Sequence, residues 1–159
     1  MKIIKFLIGL IFIVIVVPVV ATLVPTGPVK FMTVTGSSME PTITSSDIIV
    51  VDTTKTQPVV GDIVSYHHKF EENQRFIVTH RIVGVEIGGY RTRGDAYTKA
   101  DGYIVSPENV IGVMCFKIPY LGELVHFAGT SKGLLLLVIF PALTLIVQEL
   151  REIIRLIER

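Results

Sequence analysis

With 159 residues, half of them apolar, and 15 Lys and Arg against 14 Asp and Glu, the chain has room for one modest domain plus membrane segments. Its formal charge of +1, with no basic run interleaved with aromatics, excludes a nucleic acid as partner. Cys115 stands alone, which excludes an intrachain disulfide and a thiolate metal cluster; its apolar neighbours at 113–116 predict a small buried hydrophobe.

Residues 6–24 are apolar apart from Gly9, Pro18 and Thr22, about the 20 needed to cross ~30 Å of hydrocarbon. A signal peptide fits less well, although Lys2 and Lys5 form a basic start and Val19-Val20-Ala21 resembles a cleavage site, because signal-peptide cores run to about 7–15 residues. A retained helical anchor is expected. Lys2 and Lys5 before it, against Lys30 after it, put the N-terminus in the cytoplasm and the middle of the chain outside.

The stretch between the apolar ends is read as strands. Ile48-Ile49-Val50-Val51, Ile63-Val64-Ser65-Tyr66, Phe76-Ile77-Val78-Thr79 continuing to Val85, Tyr103-Ile104-Val105 and residues 110–116 are short and rich in branched or aromatic residues. Gly61-Asp62, Gly94-Asp95, Asp101-Gly102 and Ser106-Pro107-Glu108-Asn109 separate them as turns, Ile87-Gly88-Gly89-Tyr90 reads as a two-residue hairpin, and Tyr66 to Asn73 reads as a polar loop. The fold class is therefore mainly β: antiparallel short strands in a partly open barrel. A second apolar run, residues 134–147, is broken only by Pro141 and Thr144 and spans about 21 Å as a helix, so it crosses a bilayer only by extending into its flanks. Leu150, Ile153, Ile154 and Ile157 continue at helical spacing as an amphipathic tail, and Arg151, Arg155 and Arg159 bring the C-terminus back inside. The expected organisation is 1–27 as start and anchor, 28–130 as an extracytoplasmic β domain, and 131–159 as a C-terminal apolar helix.

Three residue types in this β domain carry chemistry. Ser38 lies in Thr35-Gly36-Ser37-Ser38-Met39-Glu40-Pro41, where small residues leave backbone amides accessible and Pro41 restricts Glu40 to extended geometry. A serine hydroxyl needs a positioned base to become a nucleophile. His80 is the best one: along a strand it shares a face with Phe76, Val78 and Ile82, so burial should disfavour the imidazolium. His67 and His68, adjacent and pointing opposite ways along an extended chain, do not form a chelating pair. A base histidine needs a carboxylate to fix its tautomer, and Asp95 and Asp101 both qualify, with Arg81 and Arg93 able to pair with one of them. The residues alone do not choose between the two aspartates.

Five blocks in order give the chain a specific resemblance: Gly36-Ser37-Ser38-Met39-Glu40-Pro41-Thr42, Gly61-Asp62-Ile63-Val64, Thr79-His80-Arg81-Ile82-Val83, Arg93-Gly94-Asp95 with Asp101 six residues on, and Asn109-Val110-Ile111-Gly112 leading to Ile118-Pro119-Tyr120-Leu121-Gly122. Together they cover most of residues 30–125, and the chain resembles the type I signal peptidases of the archaeal and endoplasmic-reticulum branch. The resemblance implies Ser38 as nucleophile, His80 as general base where the common bacterial enzymes carry lysine, and Asp101 as the third catalytic residue, with Asp95, Ser37 and Arg81 in support. It implies neither metal nor cofactor. Gly36 departs from relatives that carry serine there, so a side-chain oxyanion donor at that position is impossible, leaving the Ser38 N–H and, as a weaker candidate, the Ser37 hydroxyl.

The activity so implied is removal of signal peptides from exported precursors at the outer face of a cell or endoplasmic-reticulum membrane. The expected partners are the precursors, the lipid bilayer and, in some hosts, the translocon or accessory subunits. From Val24 to Ser38 is 14 residues, at most about 46–50 Å of extended chain, which keeps the serine near the bilayer. The main alternative is a membrane-anchored β module that binds partners without catalysis and needs no Ser38, His80 and Asp101 together. A self-cleaving repressor of the serine/lysine type, with related β architecture, would need a lysine base and a soluble chain.

Overall fold

A computed structural model describes Gly9, Leu10, Ile13, Val17, Val20 and residues 27–55, 57–71 and 74–157. The chain divides into two compact units, residues 24–122, and residues 1–23 with 123–159. The first holds a seven-stranded sheet: β1 Val29–Thr33, β2 Ile48–Asp52, β3 Ile63–Glu71, β4 Gln74–Glu86, β5 Gly89–Arg93, β6 Ile104–Val105 and β7 Val110–Ile118. Their order is β1-β2-β7-β3-β4-β5-β6, and each pairing is antiparallel. Among the described residues β1 and β6 remain as edges, so the barrel is only partly closed.

Burial explains the strand sequences. β2 reads as an unbroken apolar run because Ile48, Ile49, Val50 and Val51 are all buried, leaving neither face to solvent. Two clusters fill the unit. Val64, Tyr66, Ile82, Tyr90, Val105 and Val113 form one; Met39, Ile43, Ile49, Val51 and Ile63 form the other. The second is anchored by Met39, whose burial fixes the turn that carries its neighbour Ser38.

Three expectations are corrected in this unit. Residues Tyr66 to Glu71 are strand rather than loop, since β3 runs on with His67 opposite Ile77 and His68 opposite Phe76. Backbone pairing in a hairpin arm does not require apolar side chains, and a polar sequence hid it. The β4–β5 hairpin is present, with Glu86 opposite Gly89, but its two loop residues are Ile87 and Gly88; Gly88 at φ +94 supplies the left-handed conformation. Cys115 is exposed. The register of β7 on β2 slips there, Phe116 facing Val50 and Met114 facing Val51, so Cys115 is the extra residue of a bulge and is turned out of the core. β1, too short to stand out beside the first apolar run, was not anticipated.

The second unit contains most of α1, Leu121–Ala128, and all of α2, Ser131–Ile157. Thr130 caps α2, its hydroxyl accepting the Gly133 N–H at 3.0 Å. α2 includes a π segment, Leu135–Ile139, and is the one helix among the described residues long and apolar enough to cross a membrane. Its 27 residues extend the apolar run at both flanks to about 40 Å, which removes the shortfall of the apolar core alone. The expected N-terminal span falls largely outside the described residues; Gly9, Leu10, Ile13, Val17 and Val20 within it are helical.

Met39→Ala should cost about 2–5 kcal/mol of stability by opening a cavity beneath the Ser38 turn. Denaturant unfolding of the detergent-solubilised chain measures this, and a loss under about 0.5 kcal/mol would mean that the turn does not depend on that anchor.

Candidate active site

Ser38 follows β1 through Val34 to Ser37 and enters a tight turn. The Glu40 N–H donates to the Ser37 carbonyl at 3.1 Å and the Ile43 N–H to the Met39 carbonyl at 2.9 Å, and the Glu40–Pro41 peptide is cis. From the far side of the sheet sequence, the Ala96 N–H donates to the Ser38 carbonyl at 2.9 Å. The nucleophile candidate is thus held by its own turn below and by the loop after β5 above.

His80 sits on β4 with only 7% of its surface exposed, on the face shared by Val78 and Ile82, as its spacing predicts; Phe76, expected on the same covered face, is itself exposed. Its Nε2 lies 3.1 Å from Ser38 Oγ and its Nδ1 lies 2.7 Å from Asp101 Oδ2. An ionised carboxylate only accepts hydrogen bonds, so the Asp101 contact places the imidazole hydrogen on Nδ1 and leaves Nε2 as an acceptor for the serine hydroxyl. Asp101 is itself tied down, its N–H donating to the Thr92 carbonyl at 2.8 Å and its carbonyl accepting from Arg91 Nη1 at 3.2 Å. Residues far apart in the chain meet because β4 and β5 pair through Arg81 and Arg93, and the loop beyond Arg93 folds back over His80.

Asp95 does other work. Arg81 donates to both of its oxygens, Nε to Oδ1 at 2.9 Å and Nη2 to Oδ2 at 2.6 Å, and uses Nη1 on the Gly61 carbonyl at 2.9 Å. The Arg81 bond, reinforced by the Thr42 hydroxyl and the Arg93 charge, holds the Asp95 carboxyl below its ordinary value in spite of partial burial. This clamp joins the loops before β3 and after β5 and does not touch His80. Next to it, Gly94 is a contact point: a Cβ there would lie 2.5 Å from the Ser38 carbonyl oxygen and 3.1 Å from His80 Nε2. Ser37 is exposed, and Gly36 stands in open space.

Sequence reasoning missed Thr92, whose hydroxyl donates to Asp101 Oδ2 at 2.6 Å, and Tyr66 beyond it. Their signal was faint: a hydroxyl at an inward-facing strand position, Thr92 between two arginines and Tyr66 beside two histidines. The polar turn at Thr44 to Asp47 is present, but Asp47 is buried and receives the Thr44 N–H at 2.9 Å and Lys117 Nζ at 3.0 Å. Among the described residues no group of three or more His, Cys, Asp or Glu side chains is arranged to hold a metal ion.

A fold of antiparallel strands that brings a serine, a histidine and an aspartate into hydrogen-bonded contact is that of a serine-peptidase-like protein. Residues 14–98, more than half of the chain, match the Peptidase S24-like family, and the chain belongs to that family. The match includes Ser38, His80 and Asp95 and ends before Asp101. Comparison with curated proteins finds no match.

Two outcomes follow from this geometry. Gly94→Ala should suppress labelling of Ser38 by a serine-directed phosphonate reagent by about tenfold or more, because the added methyl must displace the Ser38 backbone or the imidazole. Wild-type labelling in a folded Gly94→Ala chain would show that the close approach is not needed. The Asp95 clamp stabilises the fold fully above the unfolded carboxyl value of about 3.9, and that contribution disappears as pH falls through the lower folded value. Unfolding of Asp95→Asn should therefore lose less stability than wild type on acidification below about pH 4; parallel acid profiles would contradict the clamp.

Proposed function

We propose that the chain is a membrane-anchored serine endopeptidase that removes signal peptides from exported precursors, with Ser38 as nucleophile, His80 as general base and Asp101 as the carboxylate that orients it. The observation that supports this most is the continuous contact from Ser38 Oγ to His80 Nε2 at 3.1 Å and from His80 Nδ1 to Asp101 at 2.7 Å. Ser38 Oγ attacks the scissile carbonyl while His80 Nε2 takes its proton; His80 then protonates the leaving amine, and water hydrolyses the acyl-enzyme with the same base. The negative charge of Asp101 favours the imidazolium formed at each step. The Ser38 N–H is the first donor to the oxyanion, since Gly36 carries no side chain to assist it.

Substrate geometry favours the same reading. Among the described residues β4 pairs with β5 only from Arg81 to Glu86, so the β5 side of β4 just before His80, at Ile77 to Thr79, is where an extended peptide would add as a strand. Small residues at the first and third positions before the cut are the substrate pattern that the resemblance to type I signal peptidases implies. A membrane helix suits precursors whose apolar cores lie in a bilayer, and α2 has the length and composition for it. A non-catalytic binding module would have no use for an imidazole held between a hydroxyl and a carboxylate.

Cleavage of a precursor peptide by the detergent-solubilised chain tests this. Ser38→Ala and His80→Ala should each lower kcat by about a thousandfold or more with the fold intact. Cleavage surviving both substitutions would remove the mechanism. Asp101→Asn should impair turnover well beyond Asp95→Asn after correction for folding, because only Asp101 faces the imidazole; equal losses would contradict the assignment. The rate should also fall on acidification, as an imidazolium cannot accept the serine proton, and a rate indifferent to acid would argue against His80 as base.

A further inference from the structure

Asp101 Oδ2, which bonds His80, also ends a line of hydroxyl hydrogen bonds. Thr92 Oγ1 donates to it at 2.6 Å; Tyr66 Oη lies 3.2 Å from Thr92 Oγ1, and Tyr103 Oη lies 3.0 Å from Tyr66 Oη. Each hydroxyl has one hydrogen, so the carboxylate at the end fixes all the directions: Thr92 gives its hydrogen to Asp101, must accept from Tyr66, and Tyr66 must accept from Tyr103. Tyr66 and Thr92 are fully buried on β3 and β5, so water does not replace either bond. Burial above all pushes both phenols to higher pKa, so each keeps its hydrogen as a donor. The Tyr66 ring also stands edge-on to the His80 ring, with centroids 6.5 Å apart.

We propose, resting on the peptidase reading above, that Thr92 and Tyr66 are positioning residues for the hydrolysis: a one-way hydroxyl relay that locks the Asp101 carboxylate in the orientation from which it holds His80. Aligned donors strengthen one another in a dry interior, so the relay acts as a unit. It also spreads the Asp101 charge away from the imidazole. Charged or titratable groups near the pair among the described residues include Arg91 on β5, which bonds Glu86 and the Asp101 carbonyl, and His68 on β3, stacked on Tyr103 at 3.8 Å.

The test compares wild type, Thr92→Val, Thr92→Ser and Tyr66→Phe as full-length detergent-solubilised chains cutting one quenched precursor peptide with small residues at the first and third positions before the cut. Thr92→Val should lose about tenfold or more in kcat, with KM changed less than about twofold, because a bond to a charged group is removed away from the substrate. With that donor gone Asp101 holds the imidazolium more strongly, so the acid limb of the rate profile should move to higher pH. Thr92→Ser should recover most of both, and Tyr66→Phe should show smaller changes in the same directions. Wild-type kcat and acid limb in Thr92→Val and Tyr66→Phe, while Ser38→Ala is inactive, would overturn the relay and leave the peptidase reading standing. A kcat loss in Thr92→Val with an unmoved acid limb and no recovery in Thr92→Ser would overturn it as well. If Thr92→Val fails to fold by circular dichroism, the acid limb of folded Tyr66→Phe decides. Failure of the wild type to cut, or cutting that survives Ser38→Ala, would sink the peptidase reading itself and the relay with it.

Discussion

An imidazole nitrogen and a carboxylate oxygen 2.7 Å apart, with 8% and 11% of their side chains exposed, set the terms for everything around Ser38. In water such a contact is weak, because solvent competes for both partners and screens their charges. Enclosed between β3, β4 and β5 it fixes which ring nitrogen carries the hydrogen, and the other nitrogen is left facing Ser38 Oγ. The energetic demand is high: a carboxylate largely withdrawn from water is costly without partners, and Asp101 meets the demand with bonds from His80 and Thr92 on one oxygen. The site is therefore also a folding constraint, since the strands that form the sheet must pair in register for the carboxylate to be satisfied.

The two aspartates of the loop after β5 divide the labour by their neighbours. Asp95 faces a guanidinium that saturates both of its oxygens and stays anionic as part of a brace; Asp101 faces the His80 imidazole and the Thr92 hydroxyl. The brace sets the height of the loop above Ser38, Gly94 lets it come within contact distance, and the Ala96 N–H fastens it to the serine carbonyl. Arg81 and His80 being consecutive on β4 means that their side chains leave opposite faces, so one strand delivers the imidazole to one side and the brace to the other.

Much of this was readable in the chain. Ser38 beside a methionine, His80 beside an arginine and a Gly-Asp loop with a second aspartate identify the participants by residue type and order, and β2, β3, β4 and β7 announce themselves by branched residues. What could not be read depends on register and on distance. The residues alone leave Asp101 and Asp95 open and only the resemblance points to Asp101; deriving that choice requires knowing which carboxylate the loop swings toward His80. Thr92 and Tyr66 act only because alternation and pairing turn them to one face of β3, β4 and β5, and nothing in their local sequence distinguishes them from packing residues. The arm of β3 beyond Tyr66 was hidden because its pairing is made by backbone, and the exposure of Cys115 because one bulge reverses the alternation around it.

The family membership, the sheet and the apolar helix α2 define a serine-peptidase-like protein with the means to be held at a membrane. Its proposed reaction makes one covalent species that no binding module makes. Acid-quenched mixtures of the solubilised chain and a precursor peptide, digested and weighed by mass spectrometry, should contain the N-terminal portion of the precursor joined as an ester to Ser38. Cleavage that proceeds with no ester on Ser38, under conditions that trap esters on other serine peptidases, would contradict the account.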